Sequence, residues 1–174
     1  MRPSDAALVL VSRRAQSMIP ITRLNHAVLF VRELDRTVDF YRRAFGFEVI
    51  SEMPGKAAFL RAKNSANHHD LGLFATPSQT RAPMGSPGLY HLAWEVATIE
   101  DLAAARTTLS ELGALGGESD HGATKSLYGT DPDGNEFEVM WLVPREQWGE
   151  HEHSAQTARL DLERELALHS RPGS

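Results

Sequence analysis

The chain has 174 residues, with 18 Lys and Arg against 23 Asp and Glu, eight His and no Cys. The absence of cysteine rules out thiolate catalysis, disulfide frameworks, Cys-ligated zinc and iron–sulfur clusters, and it fits a reducing, cytoplasmic setting. A net charge of −5 argues against a protein that neutralises nucleic-acid phosphates, and no apolar run approaches the roughly 18 residues of a membrane span. A chain of this length can bury a core of its own without staples.

Residues 1–20 read as a flexible N-terminal extension. The patterned sequence begins near Ile21. Leu24–Val31 is β-branched and aromatic and ends at Arg32-Glu33, as a strand does. A short helix follows, with Asp35 as its expected N-cap, Val38, Tyr41 and Phe45 on one face, and Gly46 as its stop. Three strands are expected next: one from Phe47, one over Ala57–Ala62 after the Gly55 turn, and one over Asn67–Phe74. Thr76–Pro87, with three prolines and a glycine, reads as a linker. The pattern then repeats. Leu89–Val96 is a strand, and Ile99–Leu112 a helix with Leu102, Ala105, Leu109 and Leu112 at helical spacing, closed by Gly113 and Gly116-Gly117. Two strands follow near Ser119–Thr124 and Lys125–Thr130. After the strong turn Asp131-Pro132-Asp133-Gly134 comes a last strand, Asn135–Val143.

The fold expected is therefore α+β: two βαβββ modules, at about 22–75 and 88–143, forming a partly closed mixed β-barrel over 21–143. A helical tail occupies 144–174. Its 156–169 stretch is amphipathic and is expected to pack on its own domain or on a second subunit.

Three residues of this pattern stand out as metal donors. His26 and His91 sit at matching points of the two opening strands, 65 positions apart, and Glu138 lies on the last strand. Two imidazoles and a carboxylate make up the facial triad of non-haem Fe(II) oxygenases. Each has a plain alternative: a strand histidine is more often merely hydrogen-bonded, and Glu138 either faces solvent or is buried against a cation. His151 and His153 lie in a polar segment and read as solvated.

The repeat, opened by Leu24-Asn25-His26-Ala27-Val28, resembles the vicinal oxygen chelate superfamily of glyoxalases, bleomycin and fosfomycin resistance proteins and extradiol dioxygenases. Tyr90-His91-Leu92-Ala93-Trp94-Glu95-Val96 and Asp131-Pro132-Asp133-Gly134-Asn135-Glu136-Phe137-Glu138-Val139 carry the same likeness. The resemblance implies that His26, His91 and Glu138 hold a divalent metal. His68-His69-Asp70-Leu71-Gly72-Leu73 resembles the strand that supplies the acid/base of extradiol dioxygenases, which implies His69 in that role. The segment from His121 to Tyr128 resembles the one carrying their supporting histidine and tyrosine. The activity implied is a small Fe(II) extradiol dioxygenase acting on a catechol-like substrate with O2, built as a homodimer. Mn, Zn or Ni are alternative metals. Two other functions stay open: a glyoxalase-like isomerase or resistance-type transferase, and a metal-free small-molecule binder. Typical extradiol enzymes carry two such domains, where this chain has room for one.

Overall fold

The computed structural model describes residues 18–81, 83 and 85–170. Most of the N-terminal extension expected over 1–20, its residues 1–17, lies outside them. The first module runs β1 (Ala27–Val31), α1 (Leu34–Phe45), β2 (Glu48–Met53), β3 (Ala57–Arg61) and β4 (Leu71–Ala75); the second runs β5 (His91–Val96), α2 (Ile99–Glu111), β6 (Leu115–Asp120), β7 (Thr124–Thr130) and β8 (Glu136–Leu142). Each module forms a four-stranded mixed sheet, ordered β1-β4-β3-β2 and β5-β8-β7-β6. The parallel pairs β1/β4 and β5/β8 leave β1 and β5 as edge strands. The α+β class and the twofold βαβββ repeat are as the sequence predicts. The barrel remains open, as two separate sheets.

Local chemistry explains the helices and shifts several boundaries. Thr98 caps α2 in a reciprocal box with Asp101, satisfying two otherwise free main-chain donors. The cap of α1 is Glu33 rather than Asp35; Asp35 lies in the first turn, where its charge faces the positive end of the helix dipole. Gly46 ends α1 at φ 64°, a left-handed conformation that glycine adopts without Cβ strain. Gly116-Gly117 does not close α2. The pair lies inside β6, at a bulge between Leu115 and Gly117, so this strand begins four residues earlier than its sequence suggests. In β7, Gly129 is required by close approach: a Cβ there would lie 2.5 Å from the Ala114 carbonyl and 2.6 Å from the Phe137 ring.

One core joins both modules. The α1 ring of Phe45 meets Phe137 of β8 at 5.1 Å edge-on, and Phe47 meets Trp94 of β5 at 5.2 Å. The alternation of β8 sends Phe137, Val139 and Trp141 into this core and Glu136 and Glu138 to the opposite face.

The Asp131–Asn135 turn forms a polar clasp across the same boundary. Asp133 accepts from the Arg32 main-chain N at 3.0 Å, from Arg32 Nε at 2.7 Å and from Thr37 Oγ1 at 2.9 Å. Asp131 accepts from the main-chain N of Asp133 and of Asn135 and, at 3.4 Å, from the buried Tyr41 hydroxyl. Burial raises the Asp131 carboxyl, and burial with the nearby Asp131 charge pushes the Tyr41 phenol up.

After β8 come two 3-10 turns, Arg145–Gln147 and Gly149–His153, and a final helix α3, Leu162–His169. The tail packs on its own domain, with Leu160 and Leu162 in the core. Its helix is shorter than expected because Ala158 pairs with Asp120 as an isolated β-bridge, which holds that stretch extended. No helix among the described residues is long and apolar enough to cross a membrane.

Candidate active site

The second sheet gathers four of the six residues singled out in the sequence. His91 opens β5, and Nε2 of its ring lies 3.1 Å from Glu138 Oε2 on the paired strand β8. Tyr128 on β7 is the direct cross-strand partner of Glu138, so both side chains fall on one face of the sheet. The Tyr128 hydroxyl is 3.4 Å from Glu138 Oε1 and 2.9 Å from His121 Nε2. Burial, followed by the Glu138 charge, raises the Tyr128 phenol above its ordinary value, so it stays a proton donor at neutral pH. Glu138 itself is only 9 % exposed. Of its two sequence readings, solvent-facing or buried against a cation, the first is thus excluded.

The other two residues form a second group on the first sheet. His26 lies just before β1, on the same exposed face as Val28 and Phe30. His69 stacks on it at 4.5 Å between ring centres and meets Phe59 at 5.1 Å. Asn67–Asp70 is a hydrogen-bonded loop, so β4 starts only at Leu71 and His68 and His69 precede it. The buried amide of Asn67 ties that loop down by donating to the Asn25 carbonyl at 2.8 Å and to Asp70 Oδ1 at 2.6 Å. His69 is lowered from the usual histidine value, first by desolvation and then by repulsion from His26 and His68, which favours the neutral imidazole that a base requires.

The fit of a cation can be judged from the donors. Two ligands each about 2.0–2.2 Å from one metal, at right angles, lie about 3 Å apart; the His91 and Glu138 atoms are 3.1 Å apart. The other His91 nitrogen, Nδ1, is buried without a hydrogen-bond partner, and its nearest acid is Glu136 Oε1 at 3.9 Å. A buried carboxylate beside an imidazole is a donor pair that a divalent cation compensates. The third donor is not at hand: among the described residues no three His, Asp or Glu side chains are grouped closely enough to hold a metal ion. The structure thus brings His91, Glu138, Tyr128 and His121 together, and leaves His26 and His69 on the other sheet. Two clefts among the described residues lie elsewhere, one lined by Arg42 and Phe47–Glu52, the other by Phe30, Arg32, Thr76, Ser78–Arg81, Asp133 and Asn135.

Sequence reasoning missed Tyr90, whose ring lies 4.8 Å from His91 and whose phenol is raised by the neighbouring Glu136 charge. The parity of Glu136 with Glu138 was the available signal. The polar segment around His151 predicts a solvated residue. Its ring is half-buried against Gly122, where a Cβ would lie 2.6 Å from it, while His153 is exposed as expected.

The model of the Glyoxalase/Bleomycin resistance protein/Dioxygenase superfamily matches residues 23–139. The chain belongs to this superfamily. A catechol-2,3-dioxygenase from Bacillus subtilis (strain 168) is 33 % identical over 128 residues, 73 % of this chain and 44 % of that protein. A biphenyl-2,3-diol 1,2-dioxygenase 3 from Rhodococcus globerulus is also 33 % identical, over 68 % of this chain and 62 % of its own length. The chain thus spans roughly half the length of these relatives. Among solved structures, a lactoylglutathione lyase from Agrobacterium tumefaciens superposes with a TM-score of 0.56 at 23 % identity, covering 71 % of this chain and 96 % of that one. A fosfomycin resistance protein, FosX, from Listeria monocytogenes in complex with Mn(II) superposes at 0.59 and 22 % identity, covering 76 % and 99 %. These superpositions show the superfamily fold. The superfamily match ends at residue 139, within β8, and does not include the tail.

Proposed function

We propose that this chain is a metal-dependent dioxygenase of the extradiol type, opening a catechol-like ring with O2. The observation that carries the reading is the His91–Glu138 donor pair with the Tyr128–His121 hydrogen-bond chain on the same sheet face. The likeness to catechol-cleaving relatives supports it.

His26 completes the ligand set from a second copy of the chain. Its exposed position beside the edge strand β1, whose outer side carries no partner strand among the described residues, supports this, as does the apolar surface around it: Val28 is 51 % and Phe30 72 % exposed on β1, and Leu89 and Tyr90, just before β5, are 64 % and 68 % exposed. Open edges flanked by apolar side chains are surfaces that proteins normally cover. His69, stacked on His26, would then enter the same site.

A bound Fe(II) would supply adjacent open positions for the paired oxygens of a diol, together with the redox chemistry that O2 requires. The protein's own groups do the rest. The His69 imidazole, kept neutral, takes a proton from a substrate hydroxyl and later returns it. Tyr128, kept protonated and oriented by His121, presents its hydroxyl oxygen on the same face as an acceptor for a substrate hydroxyl. Tyr90 and Phe30 offer apolar walls for an aromatic guest.

Anaerobic reconstitution with Fe(II), followed by air and a panel of catechols, tests this reading. The expected result is uptake of one O2 per substrate with the appearance of a coloured ring-opened acid or semialdehyde. No uptake, with Zn or Ni held tightly instead, would assign the chain to the isomerase-type members of its superfamily. Binding of small aromatic ligands that metal chelation leaves unchanged would make it a binder.

A further inference from the structure

The C-terminal segment lies beyond the superfamily match, yet it reaches the site. Ala158 exchanges both main-chain hydrogen bonds with Asp120, each 2.9 Å. Next to that bridge, His121 Nδ1 is 2.9 Å from the main-chain carbonyl of Gln156 and 3.3 Å from Thr157 Oγ1. The segment is locked from beneath. Lys125, 6 % exposed, reaches Asp120 Oδ1 at 2.7 Å and Glu165 Oε2 of α3 at 3.5 Å, and the His169 ring packs on Trp141 at 5.0 Å.

A carbonyl oxygen only accepts hydrogen bonds, so the His121 nitrogen facing Gln156 is the one that carries the proton. In a neutral ring this leaves a lone pair on Nε2, which accepts from the Tyr128 hydroxyl 2.9 Å away. The phenol has one proton. Given to His121, it is not shared with Glu138, whose 3.4 Å contact to the same hydroxyl is the longer of the two. The Glu138 carboxylate is thereby left free for a cation.

We propose that the tail segment around Gln156–Ala158 is a positioning element of the site: its main-chain carbonyl selects the His121 tautomer, and through it the acceptor of the Tyr128 proton. The effect on turnover rests on the dioxygenase reading; the tautomer does not.

The test is Ala158→Pro in the full chain, which removes the N–H donated to Asp120 and loosens the segment without touching the core. Nitrogen-15 NMR of the wild-type protein should show His121 protonated on Nδ1, and the variant should show that preference lost. With a catechol substrate, kcat should fall about 10-fold at nearly constant KM, the range seen when groups supporting a site are removed. In a His121→Ala background the same proline should add less than 2-fold, because the tail acts through that ring. Wild-type His121 protonated on Nε2, a folded Ala158→Pro chain with an unaltered tautomer, or additive losses in the double variant would each overturn the proposal. If the proline variant fails to fold, the wild-type tautomer still decides. If no catechol is turned over, the dioxygenase reading fails separately, and the NMR result stands on its own.

Discussion

Glu138→Ala should lower affinity for a divalent cation by more than about 100-fold, beyond the 10–100-fold typical of groups that merely support ligands. The reason is the donor set. Glu138 is buried, is 3.1 Å from His91 Nε2, and brings the full negative charge of the pair. Without it only the neutral imidazoles of His91 and, from a second copy, His26 remain, with no negative charge to hold a hard or borderline cation against water. Glu136→Ala is the matched control: it removes a carboxylate from the same face of β8, 3.9 Å from His91 Nδ1, and should cost less than about 10-fold. Calorimetric titration of Fe(II) or Mn(II) into metal-stripped protein reads both variants. Equal losses would mean that the site senses only negative charge on the strand; unchanged affinity in Glu138→Ala would remove it from the ligand set.

The second large effect concerns the clasp between the modules. Asp133→Ala should destabilise the fold by about 2–4 kcal/mol, measured by urea unfolding. Three donors lose their acceptor at once. Thr37, fully buried, is left with an unpaired hydroxyl, which costs about 1–3 kcal/mol. The Arg32 share is smaller because that side chain is 41 % exposed and its charge is screened. The pH dependence has a definite sign. Burial alone would raise the Asp133 carboxyl, but the bonds from Arg32 and Thr37 outweigh it and hold the group below its ordinary value. A carboxyl lowered on folding adds stability that is complete above about pH 4, the unfolded value, and is lost as the pH falls through the folded one. Wild type should therefore lose more stability than Asp133→Ala between pH 5 and pH 2. Parallel curves for the two proteins would show that the clasp carries no linked charge.

These two residues also show what a sequence can reveal and what it conceals. The Asp-Pro-Asp-Gly run is legible as a turn, because proline and glycine restrict the backbone locally. Its second function, gripping Arg32 and Thr37 about a hundred positions away, leaves no local trace. The paired opening histidines and the parity of Glu136 and Glu138 were readable for the same reason: strand periodicity is local. Loop contacts were not. The histidines at 68 and 69 read as strand residues because Leu71–Phe74 beyond them is apolar, whereas the hydrogen bonds of Asn67 and Asp70 hold them outside the sheet. The extended stretch before α3 had helical composition, and only its pairing with Asp120 overrode that preference. The distance between His26 and the His91–Glu138 pair was likewise beyond reach, since it depends on how two similar sheets are set against each other.

That placement gives the most direct test of the account, that His26 of one copy joins His91 and Glu138 of another around a single cation. Co-expression of His26→Ala and His91→Ala chains under different tags, with purification of the mixed species, isolates assemblies in which one site can be whole. Each variant alone should be inactive and should bind Fe(II) poorly. The mixed species should recover one tight Fe(II) site per pair and about half the wild-type oxygen uptake. A mixed species as inactive as its parents would contradict the shared site.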